Sequence, residues 1–362
     1  MRRLARAAVL ASATALAVAA CGTASDKEPA ATATADGDTS AATAAAFKGC
    51  MVSDAGGFDD TSFNQAGLEG LMRAKDELGI ETAQAESTAG TDYATNIDSM
   101  VGQDCDLVIT VGFAMADATG ATAAANPDLN FATIDDQSID ADNVKPILFN
   151  SAEAAFLAGY LAAGYSTTGT VATFGGVPIP SMTIYLDGFV DGVAHYNEVK
   201  GTDVQVLGWD KASQQGEFVG DFDNVVAGQD LARSFIDAGA DVIMPAAGPV
   251  GSGAAAAAQE AGNVAFIGVD QDWYVAAPEY ADVTLTSVLK QIAPAVLDVL
   301  AQAVDGTFSR DPYVGTLGNG GVALAPFHDF DGAISEELKL EIDQLKIDII
   351  AGDIVVESAA IP

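Results

Sequence analysis

From residue 47 onward, short apolar runs alternate with longer stretches in which apolar residues recur at helical spacing. The runs at 48–53, 106–111, 129–134, 145–149, 170–174, 204–207, 241–244, 264–268 and 282–287 predict strands. The stretches at 62–78, 93–101, 114–125, 152–165, 181–196, 228–238, 253–261 and 290–304 predict helices. In the first of these, Phe63, Ala66, Leu71, Ala74 and Leu78 keep a helical period. The strand runs lack polar alternation, as parallel strands covered on both faces do. Repeated strand–helix alternation predicts a doubly wound α/β fold. A weak internal echo points to two such units: the strands before Gly56 and Gly175 both end in a glycine pair. The expected division is a first lobe of 47–150 plus 278–310 and a second of 151–277 plus 311–362. The last strand, at 321–327, and the helix at 335–349 would complete the second lobe.

The start of the chain breaks this pattern. Arg2, Arg3 and Arg6 precede an apolar stretch at 7–20, shorter than the roughly 20 residues a spanning helix needs. It closes on Val18-Ala19-Ala20-Cys21, small residues before a cysteine, which resembles a bacterial lipobox. Residues 1–20 are thus expected to be a signal peptide, with Cys21 lipidated as the mature N-terminus; an ordinary signal peptide with an incidental cysteine is the alternative. Residues 21–46 carry mostly Ala, Thr, Ser and Asp. Such a segment buries too little surface to offset its chain entropy and reads as a disordered tether. The folded part is then extracytoplasmic and held at the cell membrane by its lipid.

Charge narrows the function. Among 362 residues, 15 are Lys or Arg and 51 are Asp or Glu, a formal charge of −36. A chain this acidic cannot neutralise a row of phosphates, which argues against nucleic acid, and it lacks the basic clusters that dock on anionic lipid. Two histidines, His195 and His328, leave little room for His-based metal sites or Ser–His catalysis. No P-loop, dinucleotide fingerprint, nucleophile elbow or zinc-protease motif is present. No catalytic residue, metal or cofactor is expected. Export permits a disulfide. If the strands holding Cys50 and preceded by Cys105 are parallel neighbours, the two come within bridging range; two buried thiols are the alternative.

Ligands of open α/β sheets bind outside the carboxyl ends of the strands. Those ends read Asp54-Ala-Gly-Gly, Gly112-Phe113, Asp135-Asp136, Gly175-Gly176, Ala247-Gly248 and Asp270-Gln-Asp272. Phe58, Phe63, Phe113, Phe222, Trp273 and Tyr274 stand near them. Carboxylates accept paired hydroxyl or amino donors and rings stack on flat faces, so the set suits a neutral, hydroxyl-rich ligand with a planar part.

Met51-Val-Ser-Asp54-Ala-Gly-Gly-Phe-Asp-Asp-Thr-Ser-Phe63-Asn-Gln resembles the opening motif of the basic membrane protein family. These are lipoprotein receptors of ABC importers related to the bacterial purine nucleoside receptor A. The likeness continues through Asp187-Gly-Phe189, Ile267-Gly-Val-Asp270-Gln-Asp and Thr286-Ser-Val-Leu-Lys290, over nearly all of 47–355. It implies a two-lobed periplasmic-binding fold of type I with a multi-strand hinge. It also implies Phe63 and a second aromatic, Phe222 with Phe218 the competitor, stacking on a base. Asp54, Asp135 and Gly248 match further ligand-binding positions, and Asp270 and Lys290 match those expected to hold ribose hydroxyls. Ala55 stands where some relatives carry Asn, so one base contact is absent. The expectation is a nucleoside-binding lipoprotein, with an ABC permease as its partner. A sugar receptor and, further off, a nucleoside-processing enzyme are the rivals.

Overall fold

The computed structural model describes residues 46–362 except Thr61; the expected signal peptide, Cys21 and the expected tether as far as residue 45 lie outside the described residues. In chain order the strands are β1 (Lys48–Val52), β2 (Glu81–Ala85), β3 (Leu107–Val111), β4 (Asn130–Ile134), β5 (Val144–Phe149), β6 (Thr170–Gly175) and β7 (Gln205–Leu207). There follow β8 (Trp209–Asp210), β9 (Gln215–Gly216), β10 (Val242–Ala246), β11 (Ala265–Asp270), β12 (Thr284–Lys290), β13 (Tyr313–Gly315) and β14 (Val322–Leu324). Two six-stranded sheets result, ordered β13-β5-β4-β3-β1-β2 and β14-β12-β11-β10-β6-β7. Every pairing in them is parallel except β12 with β14. The two orders match position for position, so the paired glycine-ending strands, β1 and β6, are equivalent.

Burial explains the apolar runs. All residues of β3 and β11 are buried, because helices cover both faces of each sheet. The helix Phe63–Leu78 turns Ala66, Gly67, Gly70, Leu71 and Ala74 inward against the helix Ile292–Val304. The helices Ser151–Tyr165 and Pro180–Lys200 form the corresponding pair in the second lobe. β1 and β3 are parallel neighbours, and Cys50 and Cys105 are joined by a disulfide across Cα atoms 6.0 Å apart.

The lobe boundaries differ from the expected ones. β12, expected in the first lobe, pairs with β11 in the second sheet, while β13, expected in the second, pairs with β5 in the first. Within 278–310 it is the helix Ile292–Val304 that packs on the first lobe. The chain therefore crosses at Asn150, at Gln291 and between Gly315 and Gly321. These crossings lie side by side: the Asn150 N–H donates to Gly315 O at 2.8 Å, and the Gln291 N–H donates to Gly321 O at 2.9 Å. A bundle of adjacent crossovers is the geometry of a hinge between two rigid bodies.

Candidate functional site

The carboxyl ends of both sheets face one another across a cavity of about 250 Å³. Its wall contains Asp54, Phe63, Asp135, Phe222, Gly248 and Asp270, six of the seven positions expected to bind ligand. The seventh, Lys290, sits behind that wall, buried at 4% exposure.

The first lobe supplies a carboxylate shelf. Asp54 follows β1, where its Oδ1 accepts from the Gly56 N–H at 2.9 Å and the Asn64 amide at 2.8 Å. Burial pushes its carboxyl above the usual range, against those two hydrogen bonds. Asp60 caps the helix Phe63–Leu78, its carboxylate accepting backbone N–H groups from Ser62, Asn64 and Gln65. Burial pushes this carboxyl up as well. The cap places Phe63 at the mouth of the helix with its ring on the cavity. Gly112, at φ +105°, lets β3 turn beneath; a Cβ there would lie 3.1 Å from Asp54 Oδ2 and 3.4 Å from Phe63 Cε1. Tyr93 completes the shelf, accepting the Ala55 N–H at 3.3 Å. Burial and then the Asp54 charge push the phenol pKa up, so it stays a donor.

The floor joins the lobes. Asp135 after β4 and Asp270 at the end of β11 hold equivalent places in the two sheets. Both lie in the left-handed region, at φ +61° and +69°, which aspartate tolerates better than most residues. Lys290, from the end of β12, puts its Nζ 2.5 Å from Asp135 and 3.7 Å from Asp270. Burial pushes Lys290 down, but the two carboxylates outweigh it and hold the ammonium above its ordinary range. Asp270 also accepts from Tyr185 Oη at 2.8 Å and, across the cleft, from Ser62 Oγ at 3.2 Å. Gln271 Nε2 donates to Ser62 O at 2.6 Å, so the lobes touch directly here and the cleft is closed.

Phe222 and Gly248 form the second-lobe wall, with Ile179 and Met182 beside them. Phe222 lies over Gly176, where a Cβ would come within 2.4 Å of its ring. Phe218 does not line the cavity; it packs edge-on against Trp209, ring centroids 5.9 Å apart. Of the two aromatics, Phe222 is therefore the one on the cavity, and Phe218 lies against Gly175 instead. Asp60, Asn64, Tyr93 and Tyr185 escaped the sequence reading. Asp60 carried a signal, an acid two residues before a helix-starting Ser. Tyr93 and Tyr185 lie in separate helical runs, with no local mark of the cleft. Among the described residues no cluster of three or more His, Cys, Asp or Glu forms a metal site, and no helix is long and apolar enough to cross a membrane.

The family model described as ABC transporter substrate-binding protein, PnrA-like, matches residues 47–357. The chain belongs to this family. It is a family of binding proteins rather than enzymes, acting outside the cytoplasm with a small-molecule ligand and the permease of an ABC transporter as partners. Among similar proteins is the ABC transporter nucleoside-binding protein BmpA of Lactococcus lactis, 32% identical over 86% of this chain and 89% of that one. Basic membrane protein A of Borreliella burgdorferi is 31% identical over 84% of this chain and 86% of its own length. An ABC transporter solute-binding protein from Aeropyrum pernix superposes with a TM-score of 0.75 at 25% identity, covering 86% of this chain and 94% of that one. The fold of this family member is thus the two-lobed periplasmic-binding type.

Proposed function

We propose that this substrate-binding protein is a lipid-anchored nucleoside receptor of an ABC importer. The carrying observation is that Phe63 and Phe222, one from each lobe, line the same closed cavity as the carboxylates Asp54, Asp135 and Asp270. Rings from opposite lobes suit a flat base held between them, and the floor carboxylates suit sugar hydroxyls. About 250 Å³, just under the usual ~300–1,000 Å³ of ligand pockets, fits one small molecule and not an oligosaccharide. Lys290 would act on the sugar through Asp135 and Asp270, whose orientation it holds. Nucleoside closing the cleft would present the two-lobe surface to the permease. The name of the Lactococcus lactis relative supports the ligand class.

Calorimetry of the full-length protein with nucleosides, free bases and free ribose tests the ligand. Nucleosides binding at least about a hundredfold tighter than ribose is the expected result; equal affinity for ribose would put a sugar receptor in its place. Cys21→Ser should move the protein from the membrane fraction to the soluble fraction. Retention of that variant in the membrane would remove the lipid anchor from the proposal.

A further inference from the structure

A second cavity, of about 340 Å³, adjoins the first. The two share Phe113, Asp135, Ile179 and Ser181. Past this shared wall the second runs over the apolar Leu148, Phe149, Pro180 and Ile184, alongside the polar Asp136, Gln137, Ser138 and Ser151. Lys290 lines only the second cavity. Its Nζ stands between the compartments, 5.1 Å from the Phe63 ring centroid and 5.5 Å from that of Phe149.

We propose that the second cavity is a subsite for an uncharged, apolar substituent on the sugar of the bound nucleoside, of the size of a 5′-methylthio group. This deepens the nucleoside reading and rests on it. With the base between Phe63 and Phe222, the sugar reaches Asp135, the carboxylate common to both cavities. A group projecting past Asp135 enters the second one. Its apolar wall favours a thioether. A phosphate in the same place meets Asp135 and Asp136, and Lys290 is already held between Asp135 and Asp270. No other basic residue is in the described lining. Like charges brought together in a closed site are strongly disfavoured.

The test is calorimetry of the full-length protein with a purine nucleoside, its 5′-deoxy-5′-methylthio derivative and its 5′-monophosphate. The derivative is expected to bind about three- to tenfold tighter than the parent, and the monophosphate about a hundredfold weaker. Gln137 is exposed and lines only the second cavity, so Gln137→Trp fills that space without touching the first. This variant should keep parent affinity within about twofold and lose about tenfold or more for the derivative. A derivative weaker than the parent in the wild type, or equal losses for both ligands in Gln137→Trp, overturns the subsite and leaves the nucleoside reading standing. Absence of binding by the parent nucleoside in the wild type overturns both.

Discussion

Lys290 is the most informative single position, because among the described residues it is the one cation facing two buried carboxylates. Lys290→Met keeps the length and apolar stem of the side chain and removes the charge. In the wild type its Nζ lies 2.5 Å from Asp135 and 3.7 Å from Asp270, with side-chain exposures of 2%, 7% and 5% for the three groups. Removing one partner of a buried ion pair costs about 3–5 kcal/mol, since the other charge stays desolvated without compensation. The ammonium also sits 5.1–5.6 Å from the rings of Phe63, Phe149 and Tyr185, a smaller contribution at about 0.5–2 kcal/mol each. Urea unfolding of ligand-free protein at neutral pH should therefore show a loss of about 3–5 kcal/mol. The loss should depend on pH with a definite sign. Burial already pushes Asp135 above its ordinary value, and Lys290 opposes that push. A carboxyl whose folded pKa is raised adds stability below its unfolded pKa, near ~3.9, and loses it as pH rises through the folded value. Without Lys290 the raise grows, so the deficit of the variant should shrink toward about pH 4. Adding Asp135→Asn to Lys290→Met should recover much of the loss at neutral pH, because a buried pair replaced as a pair costs little. A deficit under about 1 kcal/mol at neutral pH, or one that stays constant with pH, would refute the reasoning.

Other expectations follow from the same geometry. Phe63→Ala should weaken nucleoside binding about ten- to a hundredfold, the equivalent of roughly 1–3 kcal/mol of base stacking, and leave free ribose unaffected by calorimetry. Asp54→Asn retains an Oδ1 acceptor for Gly56 and Asn64 and removes a charge whose pKa burial has raised. Ligand-free Asp54→Asn should be more stable than wild type at neutral pH, on the order of 1 kcal/mol, with the difference vanishing below about pH 4. Its nucleoside affinity should fall by about tenfold or more; a variant no more stable than wild type at neutral pH would contradict the burial argument. Reducing the Cys50–Cys105 bridge, which spans a sequence separation of 55, should cost about 2–5 kcal/mol in urea unfolding. Nucleoside affinity should stay unchanged, because neither Cys50 nor Cys105 lines the cavity.

Much of the site was legible because of a rule that needs no coordinates. Once alternating apolar runs establish parallel strands, the residues just past each run must lie on one side of the sheet. Asp54, Asp135, Gly248 and Asp270 come from that rule, while Phe63 rests on its likeness to the family's opening motif, since its place one step into a helix suits a core residue equally well. What local pattern could not supply was which sheet each late strand joins. β12 and β13 carry no local mark of one sheet or the other, and only their pairings with β11 and β5 assign them. The same holds for Lys290. In the sequence it is a lysine at a strand end, suited to a ligand. Its role as a buried counter-charge exists only because the equivalent ends of β4 and β11 bring Asp135 and Asp270 to it from opposite lobes, 155 and 20 residues away in the chain. Strand identity and the face toward solvent are properties of a run of neighbours, written in the sequence. Sheet membership, charge pairing across a hinge and the placing of Phe222 rather than Phe218 on the cavity depend on contacts between distant segments, which only the folded chain brings together.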